Sequence, residues 1–232
     1  MLALLHLCDS LFPIGGFAYS DGLEAATTVR LKGDTADERA ISDISDLRHW
    51  VDVCLDETMG RMEGPAVWQA WAAFRHADWS ALTELDEELD ALRPARSVRR
   101  SSRAMGLRLL TTWQALHPHP RLEHALRLAG RGAIAPSLAI AFAGACLGGD
   151  VERREAVAAF AYTRLAATVS AAMRLMPLGQ TDAHALLART LARVPAVVDA
   201  IAARDAGPES FTPAMDLAAM SQQYLHSRLF RS

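Results

Sequence analysis

Residues suited to chemistry or recognition concentrate near the start of the chain, in the segment LFPIGGFAYSDGLEAA from Leu11 to Ala26. A nucleotide-binding loop, a catalytic turn and a protein-docking turn are the three candidates. A phosphate-binding loop requires Lys and then Ser or Thr after its glycines, and a strand before them, and neither occurs here. A nucleophile elbow requires flanking glycines, whereas Ser20 stands between Tyr19 and Asp21.

A turn that presents side chains to a partner is therefore the functional interpretation of this segment. Pro13 fixes one φ angle, and the pair Gly15-Gly16 permits positive φ. Phe17 and Tyr19 would then project from a turn that ends at a helix start. The alternative is an ordinary connection between two helices, with Phe17 in the core.

The helix that follows this turn has a recognisable start. Ser20 or Asp21 is the predicted N-cap residue, and Asp21 and Glu24 have the spacing of a capping box. We therefore expect the side chain of Glu24 to bond back to the helix start.

The remaining polar clusters do not single out a reaction. His117, His119 and His124 fall in a proline-broken loop and the helix after it, which does not predict a dedicated metal site. An arginine stripe on one helical face follows a dense acidic run, so we interpret both as solvated or protein-binding surfaces. No Ser/His/Asp or Cys/His set stands out, and the residues favour a helical adaptor over an enzyme. The stripe comprises Arg96, Arg99, Arg100 and Arg103, and the acidic run comprises Asp86, Glu87, Glu88 and Asp90.

The elements that position these residues are predicted to be helices throughout. Of 232 residues, 51% are apolar but only 6% aromatic, and β-branched apolar residues are sparse beside Ala and Leu. We predict an all-α fold, a single compact bundle of about ten helices forming one domain over residues 1–232. One long helix should run from about Asp43 to Met62, with Pro65 in the first turn of the next.

Charge and cysteine content indicate which partner classes and which cellular compartment to expect. A net charge of −3 gives no general attraction to nucleic acid or to anionic membranes. Cys8, Cys54 and Cys146 form no CxxC pair, which fits a reducing cytoplasm. The longest apolar run, residues 133–149, contains Pro136 and is shorter than the roughly 20 residues of a membrane-spanning helix. We expect no nucleic-acid or membrane partner.

Four blocks in order resemble the family of the urease accessory protein UreF. The opening LFPIGGFAYSDGLE is similar to its N-terminal signature, and RSVRRSSRAMGLRLL to its Arg/Ser/Gly/Leu helix. SAAMRLMPLGQTDAHALL and MDLAAMSQQYLHSRLFRS resemble its two C-terminal blocks. One departure is the sequence Ser221-Gln222-Gln223, where the family commonly carries a His.

The resemblance implies a non-catalytic, cytoplasmic scaffold without a cofactor or metal site of its own. It would bridge UreD (also called UreH) and the GTPase UreG, regulate that GTPase, deliver nickel to apo-urease, and dimerise within the complex. A His-based nickel-binding protein and a generic helical adaptor remain the alternatives. The partner-binding residues implied are Phe17, Tyr19, Ser20, Glu24, Arg174, Gln180, Arg228, Leu229 and Phe230.

For the tail residues and for Arg174 and Gln180, the sequence also predicts the local structure. Residues 225–232 are predicted to be a C-terminal docking tail, in which Leu229 and Phe230 lie uncovered and suit a groove on UreD. A stripe on the preceding helix, including Leu217, Met220 and Tyr224, should instead pack on the core. Arg174 and Gln180 are expected to hydrogen-bond across the turn that contains Pro177 and Gly179.

Overall fold

The computed structural model describes residues 1–28 and 41–230, apart from the side chain of Phe17. Within these residues the chain consists of helices, turns and loops without a strand, so the predicted all-α fold is confirmed. A π-helical segment and two short 3-10 turns supplement the α-helices. The α-helices are α1 (Leu2–Cys8), α2 (Leu23–Thr28), α3 (Ile44–Val53), α4 (Gly64–His76), α5 (Trp79–Ala91), α6 (Arg96–Leu116), α7 (Pro120–Gly130), α8 (Leu138–Gly148), α9 (Arg153–Leu175), α10 (Gln180–Leu191), α11 (Val194–Arg204) and α12 (Pro213–Ser221).

One long rod is built from α3, the π-helical segment Cys54–Glu63 and α4. It starts where predicted, because the Asp43 side chain accepts from the backbone of Asp46 in a reciprocal capping box. Pro65 lies in the first turn of α4, also as predicted. The sequence predicted that the first helix ends before Gly64, but the helical backbone continues through this residue. What changes at Gly64 is the hydrogen-bond pattern, from π-helical to α-helical. π-helical backbone is rare in proteins, and where it occurs it often lies at a functional site.

Helix α8 forms the centre of the core, and its residues from Leu138 to Leu147 are buried. It packs on α4, α6 and α9. Contact with α6 depends on Gly106, because a Cβ atom there would lie 2.2 Å from the Pro136 carbonyl oxygen and 2.6 Å from that of Ser137. The two backbones therefore touch directly at the start of α8.

Helix α9 crosses the whole bundle and contacts α1, α2, α4, α8, α10 and α11. By length and composition it could cross a membrane, and 50% of the relevant window is buried inside the protein. A core helix of a globular protein meets the same criterion, and the contacts on several sides of α9 describe such a helix.

The contact at Gly106 can be tested with an alanine pair. Gly106→Ala should lower the free energy of unfolding by about 1–3 kcal/mol, because the new methyl group meets rigid backbone. Gly130→Ala is the control, since nothing lies within 4 Å of a Cβ atom at this helical position. Urea unfolding of both variants measures the difference, and equal stabilities would contradict the close contact.

Candidate partner-docking surface

Two glycines of the opening turn adopt positive φ angles. They are Gly15 and Gly22, whereas the sequence indicated the pair Gly15-Gly16. Gly15 adopts φ 77°, and a 3-10 turn follows at Gly16–Ala18. Gly22 adopts φ 92°, and a Cβ atom there would lie 2.7 Å from the backbone nitrogen of Ala219 in α12. Gly22 therefore allows the C-terminal helix to rest directly on the turn.

Asp21 does not cap a helix but joins a buried charge cluster. It adopts φ 49°, and its carboxylate bonds to the Arg164 guanidinium of α9. The Arg164 Nε atom also donates to Glu63 Oε2 at 3.1 Å, and Arg93 donates to Glu63 Oε1 at 2.6 Å. We call Asp21, Glu63, Arg93 and Arg164 the charge cluster.

The charge cluster contains two carboxylates and two guanidinium groups, which form salt bridges with one another. Glu63 and Arg93 are only 5% and 6% exposed. Burial alone would lower the pKa of Arg164, but the carboxylates of Glu63 and Asp21 raise it above its usual value. Buried ions without partners are costly, so these four residues depend on one another. They connect the opening turn, the π-helical segment, the loop before α6, and α9.

Arg93 extends the cluster toward the core. Its guanidinium donates to Ser102 Oγ at 3.0 Å, and the same oxygen accepts from the backbone N–H of Leu138 at 3.1 Å. The opening turn is thus linked through hydrogen bonds to the first residue of α8.

Glu24 holds the C-terminal tail. Its Oε1 atom accepts from the backbone N–H of Leu229 at 2.5 Å, and its Oε2 atom accepts from that of Phe230 at 3.1 Å. The predicted capping box between Asp21 and Glu24 is therefore wrong, because both carboxylates are engaged far away in the sequence. We call this contact the Glu24 clamp.

Gln222 orients the clamp from the 3-10 turn Gln222–Tyr224 that directly follows α12. Its Nε2 atom donates to Glu24 Oε2 at 2.9 Å, and Ser20 Oγ donates to Gln222 Oε1 at 3.1 Å. Ser20, Glu24 and Gln222 are 8%, 3% and 1% exposed. Ser20 and Glu24, which the resemblance implies as partner-binding residues, are therefore buried beneath the C-terminal segment, and their contact with a partner stays a prediction.

The two apolar residues of the tail face different ways. Phe230 is 3% exposed, and the Arg174 guanidinium lies 4.3 Å above its ring centroid. Leu229 is 62% exposed, and the Arg228 side chain is also exposed. The expectation of an uncovered pair is wrong for Phe230, because the clamp turns its ring inward. Docking of the tail on a partner stays a prediction.

The other predicted site residues lie nearby. Tyr19 is partly buried and packs on the core cluster. Phe17 lies in the 3-10 turn, but its side chain is outside the described part of the structure. Gln180 is exposed at the start of α10, and the Arg174 guanidinium stacks on the Phe230 ring. The hydrogen bonds expected across the turn stay a prediction, as does partner contact by these residues.

Helix α12 exposes the stripe that was expected to pack on the core. Leu217 is 64% exposed, Met220 43% and Tyr224 82%. The helix instead turns Ala219 and Gln222 inward, because the gap above Gly22 admits only a small side chain and the clamp needs the amide. The exposed stripe continues the outer face of the tail.

A second surface is a groove of about 930 Å³ along α9. Its floor consists mainly of small side chains of α9, and α1 forms one wall. On α1, Leu2 and Leu5 are 78% and 61% exposed. Tyr19 and Phe230 line the groove as well, so it adjoins the opening turn and the tail.

The histidines of the HPHP region have structural contacts. His119 caps α7 by accepting from the Arg121 backbone N–H at 3.2 Å. His124 stacks on Trp79, and His117 packs on Trp113 with ring centroids 4.3 Å apart in both pairs. Across residues 1–28 and 41–230, no group of three or more His, Cys, Asp or Glu side chains is arranged to hold a metal ion.

One part of the predicted solvated surface is buried instead. Asp86 is 6% exposed and accepts from the Ala135 backbone N–H at 2.7 Å. Burial raises the pKa of this carboxyl group, and the hydrogen bond from Ala135 opposes that effect. Arg99 and Arg103 of the stripe both pair with Asp90. The two charged runs thus hold the end of α5 to α6.

Several residues of this surface were not predicted, although the sequence carries a signal for some. Arg164 is the only charged residue between Glu155 and Arg174 in α9, which marks it as a buried ion with a partner. Glu63 and Arg93 carry no comparable signal. Gln222 stood out only as a departure from the family pattern.

Comparison with known proteins places the chain in a family. The sequence profile of the UreF family matches residues 41–191. The urease accessory protein UreF of Methylibium petroleiphilum is 34% identical over 233 residues, which cover 100% of this chain and 94% of that protein. UreF of Bacillus sp. strain TB-90 is 32% identical, covering 100% and 99%. The bifunctional urease accessory protein UreEF of Bordetella bronchiseptica is 33% identical, covering 100% of this chain and 52% of that protein.

These matches define a urease accessory protein by class. The chain belongs to the UreF family, as the resemblance of its four sequence blocks implied. The opening turn and the clamped tail lie outside residues 41–191, but the full-length relatives extend across both.

The charge cluster predicts a large effect of one neutral substitution. Glu63→Gln should lower the free energy of unfolding by about 3–5 kcal/mol, because the buried guanidinium of Arg93 and the partly buried one of Arg164 lose their shared carboxylate. Glu57→Gln is the control, since its partly exposed pair with Arg61 should contribute about 0–1 kcal/mol. Chemical unfolding measures both, and a small effect of Glu63→Gln would contradict the cluster.

The Glu24 clamp predicts a release of the tail when its orienting amide is lost. Gln222→Leu leaves Glu24 with one donor fewer, which should cost about 1–3 kcal/mol and speed trypsin cleavage after Arg228. Gln223→Leu changes an exposed neighbour and should keep the wild-type cleavage rate. Equal cleavage rates in the two variants would show that Gln222 does not hold the tail.

Proposed function

We propose that this protein is a non-catalytic scaffold for nickel insertion into urease. Acting in the cytoplasm, it bridges UreD (also called UreH) and the GTPase UreG, regulates the GTPase, and works on apo-urease. Family membership supports the role in urease maturation. The fused relative UreEF, whose name joins two accessory proteins in one chain, supports action alongside other accessory proteins.

The single observation that carries this proposal is the contact between the opening turn and the tail. These two segments belong to two of the four blocks that resemble the family, and the Glu24 clamp joins them although Glu24 and Leu229 are 205 residues apart. A contact of this kind produces one composite surface from both ends of the chain. Its exposed parts, rather than its buried polar groups, are what a partner would meet.

The outer face of the tail is the proposed docking surface for UreD. Arg228 and Leu229 are exposed there, and Leu217 and Tyr224 extend the apolar area onto α12. Exposed apolar side chains of this size, rimmed by a cation, are typical of protein interfaces. Tyr19, beside the groove, belongs to the part of the surface that we assign to UreG or its bridging partner.

The groove along α9 is the proposed site of homodimerisation. Exposed leucines of α1 border a floor of small side chains, and such a surface can receive its own counterpart from a second copy. A two-fold dimer uses the same patch on both subunits, which fits a chain that carries both the projecting and the recessed part.

Co-purification tests the bridging function. Tagged wild-type protein should capture UreD, and UreG in the presence of UreD. Leu229→Asp should abolish capture of UreD, because a buried charge in an apolar contact costs at least about 2 kcal/mol, or more than tenfold in affinity. Leu116→Asp, at another exposed leucine, should leave capture intact.

Circular dichroism of both aspartate variants controls for folding. Wild-type protein that captures neither partner would overturn the bridging function. Capture of UreD by Leu229→Asp at the wild-type level would leave the bridge but remove the tail from it.

A further inference from the structure

The groove along α9 ends at the clamped tail. Phe230 lines the groove, and the Arg174 guanidinium stacked on its ring lies in the last turn of α9. The Phe230 ring therefore forms a wall at the end of the groove nearest the C-terminus of α9. This wall comes from the C-terminal segment, in which Leu229 and Phe230 donate backbone N–H groups to Glu24 and the Phe230 ring packs on the core cluster and under Arg174.

We propose that the seated tail completes the surface that binds a second copy of this chain, so that tail seating and self-association are coupled. The proposal rests on the homodimer proposed above and adds its geometry and its control. A second copy gains affinity only from a groove whose end wall is in place.

A second copy is the occupant that the groove fits, because the chain carries both halves of the contact. Along the floor, α9 presents Ala158, Ala166 and Ala167, which leave room for larger side chains. On the adjoining wall, α1 carries Leu5, which lines the groove and is 61% exposed, and Leu2, which is 78% exposed. In a two-fold arrangement the leucines of each copy lie on the floor of the other.

The charges at the groove ends specify the same arrangement. Glu155 and Arg174 both line the groove and stand 19 positions apart on α9. At 1.5 Å per residue this separation is about 28 Å. When two copies of α9 lie antiparallel, Glu155 of each copy meets Arg174 of the other, so opposite charges face each other at both ends.

The Glu24 clamp then controls the dimer through Phe230. When the tail leaves, Phe230 no longer walls the groove and Arg174 loses the ring that holds its guanidinium. Both changes weaken the surface that a second copy meets. By thermodynamic reciprocity, dimerisation must also hold the tail more tightly.

A matched pair of tail variants tests the coupling. Phe230→Ala removes the end wall, whereas Leu229→Ala truncates its exposed neighbour, and sedimentation equilibrium measures the dimer dissociation constant of each full-length chain. We expect Phe230→Ala to weaken the dimer by about tenfold or more, because the tail loses its buried anchor and the groove loses its end wall, and Leu229→Ala to leave the dimer unchanged. Glu24→Gln, which loosens the clamp but keeps the ring, should also weaken the dimer.

The outcomes separate the coupling from the homodimer itself. A wild-type chain that stays monomeric up to high concentration would overturn the homodimer, and the coupling with it. A wild-type dimer whose dissociation constant is the same in Phe230→Ala and Glu24→Gln would overturn the coupling alone. Equal weakening by Leu229→Ala and Phe230→Ala would also overturn it, because the exposed face would then be the part in contact. If Phe230→Ala fails to fold, Glu24→Gln decides alone.

Discussion

The structure depends on one buried carboxylate, that of Glu63, which holds the guanidinium groups of Arg93 and Arg164 at once. The buried Arg93, the partly buried Arg164 and one carboxylate would be unfavourable without further partners, and Asp21 and Ser102 supply these partners. Because these residues come from separate parts of the chain, their bonds form only when the helices are correctly packed. The requirement for mutual satisfaction thus places the opening turn against the core.

The opening turn, held against the core by the charge cluster, in turn binds the C-terminal end of the chain. Gly22 brings α12 into contact with the turn, α12 brings Gln222 to Glu24, and Glu24 holds the tail. Each step requires the one before it, since a carboxylate can accept two consecutive backbone N–H groups only if both segments are already close. The surface proposed for partner binding is therefore a property of the folded chain, not of either sequence block alone.

Sequence patterns predicted the helical fold because they are local. Composition indicated helix, and Asp43 and Pro65 marked helix starts that the structure confirms. Local sequence patterns gave wrong predictions where a side chain binds a residue that is distant in the sequence. Glu24 has capping-box spacing, yet its carboxylate binds the tail, and nothing near it in sequence indicates that. The exposure of Leu217 has the same origin, because Gly22 and Gln222 decide which face of α12 turns inward.

Hydrogen exchange at the backbone amides of Leu229 and Phe230 tests the central claim, that the tail is bound to the opening turn in the folded protein. These are the two N–H groups that Glu24 accepts. We predict that both amides exchange at least about tenfold more slowly than the exposed amide of a short tail peptide, and that Glu24→Gln removes the protection. Exchange at the rate of the free peptide in the wild-type protein would contradict it.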